Sequence, residues 1–390
     1  MIRDQVVSYP GSLARPRVRS LAKAAGAAIT QPGQVSQLAQ VKPVATLGNL
    51  QILRLMAAAM VLYGHLNHEV LGKPAMAGGF VPFQPIWWHC GVDVFFVLSG
   101  FIMALITRDS FGVSGAPTRF VKARLIRLVP MYWLFTTLTL LAMAVVPGEM
   151  RHHTATWRHV LGSYLFVPLE LNSDGNPRPV MILGWTLNYE MLFYAIFALA
   201  MRLGRQAGLI AVSAAIISLS VIGMMFGLPM PLKVWCNPIL LEFLLGIALY
   251  EVWQRTEPMP VWAGLVVAAQ GFCAMAVFMA AGIANHADSY RVIWGGVPAA
   301  MIVAGVLMIR EQPEPGPVKR FFMRGGDASY ALYLSHPFVL SAVAVVGAKA
   351  GLANPEAYIL SAFAACLAFS WVFYTGFERP LHQLAGRLLR

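Results

Sequence analysis

The chain has 390 residues, 58% of them hydrophobic and 12% charged, against roughly half and a quarter in soluble proteins. Its mean hydropathy is +0.64. Too little charge remains to clothe a soluble enzyme of this size, and the apolar content excludes disorder for most of the chain. A net charge of +12 raises the question of nucleic acid, but the basic residues sit on alternate connections between apolar runs. That is the pattern the positive-inside rule produces. The reading is an all-α, polytopic integral membrane protein with no nucleic-acid partner.

Residues 1–46 form a basic tail bearing Arg3, Arg15, Arg17, Arg19, Lys23 and Lys42. No uninterrupted apolar stretch follows its first charges, so it reads as a flexible cytoplasmic arm rather than a cleaved leader. Residues 47–390 form the membrane domain. Ten apolar runs there are long enough to span: 48–67, 91–107, 128–147, 182–201, 208–228, 234–252, 261–283, 292–309, 328–347 and 357–377. Of the 29 Lys and Arg, 21 fall on the tail and the inner connections, 7 on outer loops, and Arg54 lies within the first run. This bias predicts both termini inside. The outer stretch 148–181 holds Val160–Val167, which is too short to span and reads as interfacial or re-entrant.

Ionisable side chains inside a membrane are costly, so each is a functional candidate. The first run, LGNLQILRLMAAAMVLYGHLNH, carries Arg54 and His65. Eleven residues separate them, about 1,100° of helix, so they share a face about 16 Å apart along the axis. Arg54 falls near the inner end and His65 toward the outer half. Each alone also reads as structural, a snorkelling arginine and a core histidine bonded to a carbonyl.

The second run opens CGVDVFFVLSGFIM. Asp93 is expected at its outer edge, where solvation is cheap, and Ser99-Gly100 where helices can approach closely. The connection TRFVKARLIRLVPMYW then crowds Arg119, Lys122, Arg124 and Arg127 at the inner edge, with Arg124 and Arg127 on one helical face. Such a cluster serves orientation and headgroup contact. Guanidinium forks also suit phosphate oxygens.

In the fourth run, LGWTLNYEMLFYAIF, Glu190 lies two turns in from the outer boundary, flanked by Trp185, Asn188 and Tyr189. A buried carboxylate needs a cation or a shared proton, and His65 and Arg54 are the intramembrane candidates. Glu242 in the sixth run has no local partner. The ninth run, GDASYALYLSHPFVL, starts with Ser329, Tyr330, Tyr333, Ser335 and His336. There Pro337 frees a carbonyl and can kink the helix. The four cysteines form no CxxC pair and His152-His153 lacks a third ligand, so neither a disulfide framework nor a metal site is expected. No P-loop, dinucleotide fingerprint, G-x-S-x-G or HExxH occurs.

These motifs together resemble the membrane-bound acyltransferase family 3. The resemblance rests on the Arg-x10-His pair Arg54/His65, GVDVFFVLSGFIM and the RxxR of Arg124 and Arg127. It continues through WTLNYE ending at Glu190, SYALYLSHPF at 329–338 and the closing Phe377-Glu378-Arg379-Pro380. They follow the family's order across residues 47–380, and the branch that acetylates bacterial exopolysaccharide is the most similar. The long basic tail departs from the compact family start.

The resemblance implies transfer of an acyl group, usually acetyl from acetyl-CoA, to a sugar hydroxyl at the bacterial inner membrane. The acceptor is then a polysaccharide or lipid-linked saccharide, with polysaccharide assembly proteins as partners. Acetyl-CoA is anionic and cytoplasmic, so Arg124, Arg127 and Lys122, with Arg54, are the expected donor site. The extended pantetheine arm matches the Arg54–His65 rise. His65 is then general base or acyl carrier, and Glu190 orients its imidazole. Asn188, Tyr330 or Ser335 supplies oxyanion hydrogen bonds, and His336 has a substrate-binding or a structural role. The competing class is a proton-coupled carrier or flippase, which would also use buried Arg, His and Glu.

Overall fold

The computed structural model describes residues 47–73, 80–145, 156–172, 175–285, 290–312 and 314–388. The tail 1–46 and the pair His152-His153 lie outside them. Lipid offers no hydrogen-bond partners to the backbone, so spanning segments satisfy their own amides as helices. In order these are α1 (Gly48–Leu71), α2 (Gly91–Ile106, entered through the 3-10 turn Trp88–Cys90), α3 (Ala116–Val145), α4 (Trp157–Leu165), α5 (Trp185–Ala200) and α6 (Arg205–Met225). Then follow α7 (Leu241–Trp253), α8 (Val261–Ala280), α9 (Val297–Leu307, after the π turn Val292–Gly296), α10 (Pro317–Asp327) and α11 (Ser329–Lys349). The chain closes with α12 (Pro355–Phe373), the π turn Tyr374–Glu378 and α13 (Arg379–Leu388).

Among the described residues, 8 helical segments are long and apolar enough to cross a membrane. The helix α1, with 24 residues, and the shorter apolar segment Val292–Leu307 correspond to the two remaining expected spans. This is a multi-pass membrane protein. Lipid-facing side chains such as Ile210, Val346, Leu360 and Val372 are exposed, because hydrocarbon rather than water is their solvent.

The most polar span is the central one. α1 carries Asn49, Gln51, Arg54 and Asn67, all buried, and packs against α2, α9, α10, α11 and α12. These polar groups are enclosed among apolar neighbours such as Leu50, Leu53 and Ala57, while the outer surface is apolar as well. No side chain at Leu47 caps α1. Glu311 does so from a distance, its Oε1 accepting the Asn49 amide at 2.7 Å while Lys319 bonds Glu311 Oε2 and Asn49 Oδ1, each at 2.8 Å. A carboxylate at a helix N-terminus also meets the positive end of the dipole.

Helices in lipid associate through close packing rather than hydrophobic drive. The expected close approach at Gly100 takes place against α7: a Cβ there would strike the Phe243 carbonyl, and one at Gly246 the Val97 carbonyl. α3 begins well before the apolar run that announced it, so the basic connection is already helical. The short outer piece forms α4, 9 residues capped by Thr156 and ended by Phe166 in the left-handed region. It is too short to span, and Trp133 of α3 donates to its Tyr164 carbonyl at 2.9 Å.

The expectation of a solvated Asp93 is corrected. Its carboxylate is fully buried and gripped by Arg291 through two 2.9 Å bonds. Arg291 precedes the π turn and lies 4.7 Å from the Trp87 ring. Glu242, also fully buried, feels both members of this pair electrostatically and abuts Gly296. Its neighbours come from other helices, which no local reading could supply.

Candidate functional site

Five helices line one partly open cavity. Arg54 comes from α1, Ser99 from α2, Arg127 from α3, Glu190 from α5, and Ser329, Tyr330 and Tyr333 from α11. Arg54 is 3% exposed and its Nη1 donates to Gln51 Oε1 at 3.2 Å. It also interacts electrostatically with Arg127, Asp327 and Glu378. Glu378 arrives on the π turn after α12 and is fully buried. Two guanidinium groups thus face one cavity, and the charge of Arg54 is offset in part by Asp327 and Glu378.

The basic cluster divides by its position around α3. Arg127 lines the cavity, and Arg124 is buried with its guanidinium 5.9 Å from the Phe120 ring. Both act electrostatically on Tyr194. Lys122 lies on the exposed side of the same helix, so the structure does not gather it with the others. Residues two apart on a helix point in nearly opposite directions.

Glu190 is held by Ser99, whose Oγ donates to Oε1 at 3.0 Å, and by the hydroxyl of Tyr194. These contacts replace the expected bond to the His65 imidazole. Tyr330 lines the cavity but its hydroxyl donates to the Leu128 carbonyl at 2.9 Å. Asn188 and Ser335 are buried outside the lining. Their side chains do not reach the cavity.

His65 stands apart from the cavity, in a cluster of imidazoles. Its ring is 5.0 Å from that of His336 and 4.9 Å from that of His89. His336 turns its Nδ1 back onto the Leu332 carbonyl at 3.1 Å, one residue from the carbonyl that Pro337 leaves without its helical donor. Tyr333 links the two regions: it lines the cavity, and its ring lies 6.4 Å from that of His336. Its hydroxyl reaches the Leu183 carbonyl at 3.1 Å and Thr186 Oγ1 at 3.0 Å. His89 does not stand out in the sequence, and Tyr333 is marked there only within the polar start of its helix, with no role assigned. Aromatic and histidine side chains are common near membrane boundaries, and only the packing gives these two their positions. Among the described residues, no group of three His, Cys, Asp or Glu is arranged to hold a metal ion.

A cationic cavity and a histidine cluster joined along one helix suit the handling of an anionic activated group. Residues 47–375 match the family described as an acyltransferase domain. The chain belongs to acyltransferase family 3. The exopolysaccharide production protein ExoZ of Rhizobium meliloti (strain 1021) is 35% identical over 297 residues, covering 75% of this chain and 88% of that protein. The acyltransferase MdmB of Streptomyces mycarofaciens is 25% identical, covering 88% of this chain and 94% of its own. Nodulation protein 10 of Rhizobium leguminosarum bv. viciae is also 25% identical, over 77% and 84% of the two chains. No solved structure matches this acyltransferase.

Proposed function

We propose that this acyltransferase moves an acetyl group from cytoplasmic acetyl-CoA to a hydroxyl of a cell-surface or exopolysaccharide sugar. It works in the bacterial inner membrane with both termini in the cytoplasm. One observation carries the reading: α1 brings Arg54 to a cavity shared with Arg127 and, about 16 Å further along its axis, brings His65 to the histidine cluster. Guanidinium forks match phosphate oxygens at the nucleotide end of the donor. The pantetheine arm extends toward His65.

Glu190, facing the same cavity, accepts hydrogen bonds from the pantetheine amides. His65 acts on the acceptor hydroxyl as general base, or first takes the acyl group itself. In either route the hydroxyl proton leaves as its oxygen bonds the acyl carbon, the carbon–sulfur bond breaks, and the CoA thiolate gains a proton. Similarity to an exopolysaccharide production protein supports a polymeric or lipid-linked sugar as acceptor, with assembly proteins nearby.

Purified protein in nanodiscs, given radiolabelled acetyl-CoA, tests this. Release of CoA with transfer of label, abolished in His65→Ala that still folds, is the expected result. A folded wild type that neither binds CoA nor releases it would replace this reading with the carrier. Orientation has its own test: in a cysteine-free background, Lys73→Cys should react with an impermeant maleimide on intact cells, and Arg324→Cys only after lysis.

A further inference from the structure

His89 belongs to no sequence motif, yet the fold delivers it to His65. The turn Trp88–Cys90 carries it ahead of α2, and its ring meets that of His65 at 4.9 Å and 81°. Gly64 makes this possible: a Cβ there would lie 3.0 Å from His89 Cε1 and 3.1 Å from Nδ1. The turn is also anchored. The Trp87 ring lies 5.5 Å from that of His89 and also meets the guanidinium of Arg291, itself fixed by Asp93. A histidine held this firmly is positioned rather than passing by.

Among the described residues, His89 Nδ1 and His336 Nε2 in this cluster have no hydrogen-bond partner, and both are buried. Buried polar atoms are seldom left so unless another group binds them. Three imidazoles are also more than one proton transfer needs. One histidine can remove a proton or carry an acyl group, but it cannot do both in the same step.

We propose that His65 and His89 divide the reaction: His65 carries the acetyl group and His89 is the general base that activates the acceptor hydroxyl. The proposal deepens the acetyl-CoA reading above and rests on it. In the first half, a nitrogen of His65 attacks the thioester carbon, the carbon–sulfur bond breaks, and CoA leaves as thiolate. In the second, His89 takes the proton of the acceptor hydroxyl as its oxygen attacks the acyl carbon. The carbon–nitrogen bond breaks and His65 is restored. The net proton passes from hydroxyl to thiolate. His89 lies on the turn before α2, on the outer side of the bundle in the proposed orientation, where a sugar would approach.

The test is a rapid pulse of full-length protein in nanodiscs with radiolabelled acetyl-CoA, followed by chase in plain buffer, with water as acceptor, or in hydroxylamine. Hydroxylamine attacks an acylimidazole without a base. His89→Gln should release at most one CoA per protein and hold label at least tenfold longer than wild type, with hydroxylamine discharging both alike. His65→Ala should carry no label. Gly64→Ala keeps all three histidines while displacing the His89 ring, and should lengthen the label's lifetime by a smaller factor. Equal lifetimes in wild type and His89→Gln would overturn the proposal, as would absence of label from every variant while wild type turns over. A wild type that releases no CoA at all would instead remove the acetyl-CoA reading, and this proposal with it.

Discussion

Ser99 Oγ donates to Glu190 Oε1 at 3.0 Å, which ties the carboxylate of the fifth helix to the second and turns it toward the cavity rather than toward His65. On this geometry Glu190 acts on the donor. A hydrogen bond to a charged group contributes about 1.5–3 kcal/mol, so Glu190→Gln should raise KM for acetyl-CoA by roughly one to two orders of magnitude while kcat changes less. Steady-state kinetics separate this from His65→Ala, where kcat collapses. A fall in kcat alone for Glu190→Gln would return the residue to an orienting role beside His65.

Arg54 and Arg127 face one cavity, and the proposed ligand for them is the phosphate end of the donor. Arg127→Ala should therefore weaken acetyl-CoA by at least about tenfold, the scale of one lost charged hydrogen bond. Acetyl-pantetheine, which lacks the phosphates, should be used equally by variant and wild type. Arg127→Lys keeps the charge but not the planar fork, so partial recovery is expected. An equal loss with both donors would count against phosphate recognition.

The Asp93–Arg291 pair is fully enclosed, with two bonds of 2.9 Å. Removing one partner of a buried pair leaves an unpaired charge and costs about 3–5 kcal/mol. Asp93→Ala and Arg291→Ala should each lower the melting temperature of purified protein sharply, and the double variant should be less unstable than their sum. Strict additivity would show that the two charges are not coupled.

Where α2 crosses α7, a methyl group at Gly100 would meet the Phe243 carbonyl. Backbone cannot yield as a flexible side chain does, so Gly100→Ala should destabilise by about 1–3 kcal/mol, the usual cost of overpacking. Gly282, with open space around it, has a positive φ and is a poor control. Gly316, equally open and without that constraint, should accept Ala with little change. Thermal unfolding in detergent checks both.

The sequence by itself determined the class, because lipid imposes a length and a composition that most spanning segments must meet alone. It also put Arg54 and His65 on one face of one helix, since helical pitch is a local property. Tertiary structure decided which charges meet. Asp93 and Arg291 are almost two hundred residues apart, and no periodicity within either segment encodes their pairing. The same holds for Glu190, whose partner Ser99 read as a packing residue, and for Lys122, which the turn of α3 carries away from Arg124 and Arg127. His89 is the clearest instance: one histidine in a short turn carries no pattern, and only the packing of that turn against Gly64 sets its ring beside His65.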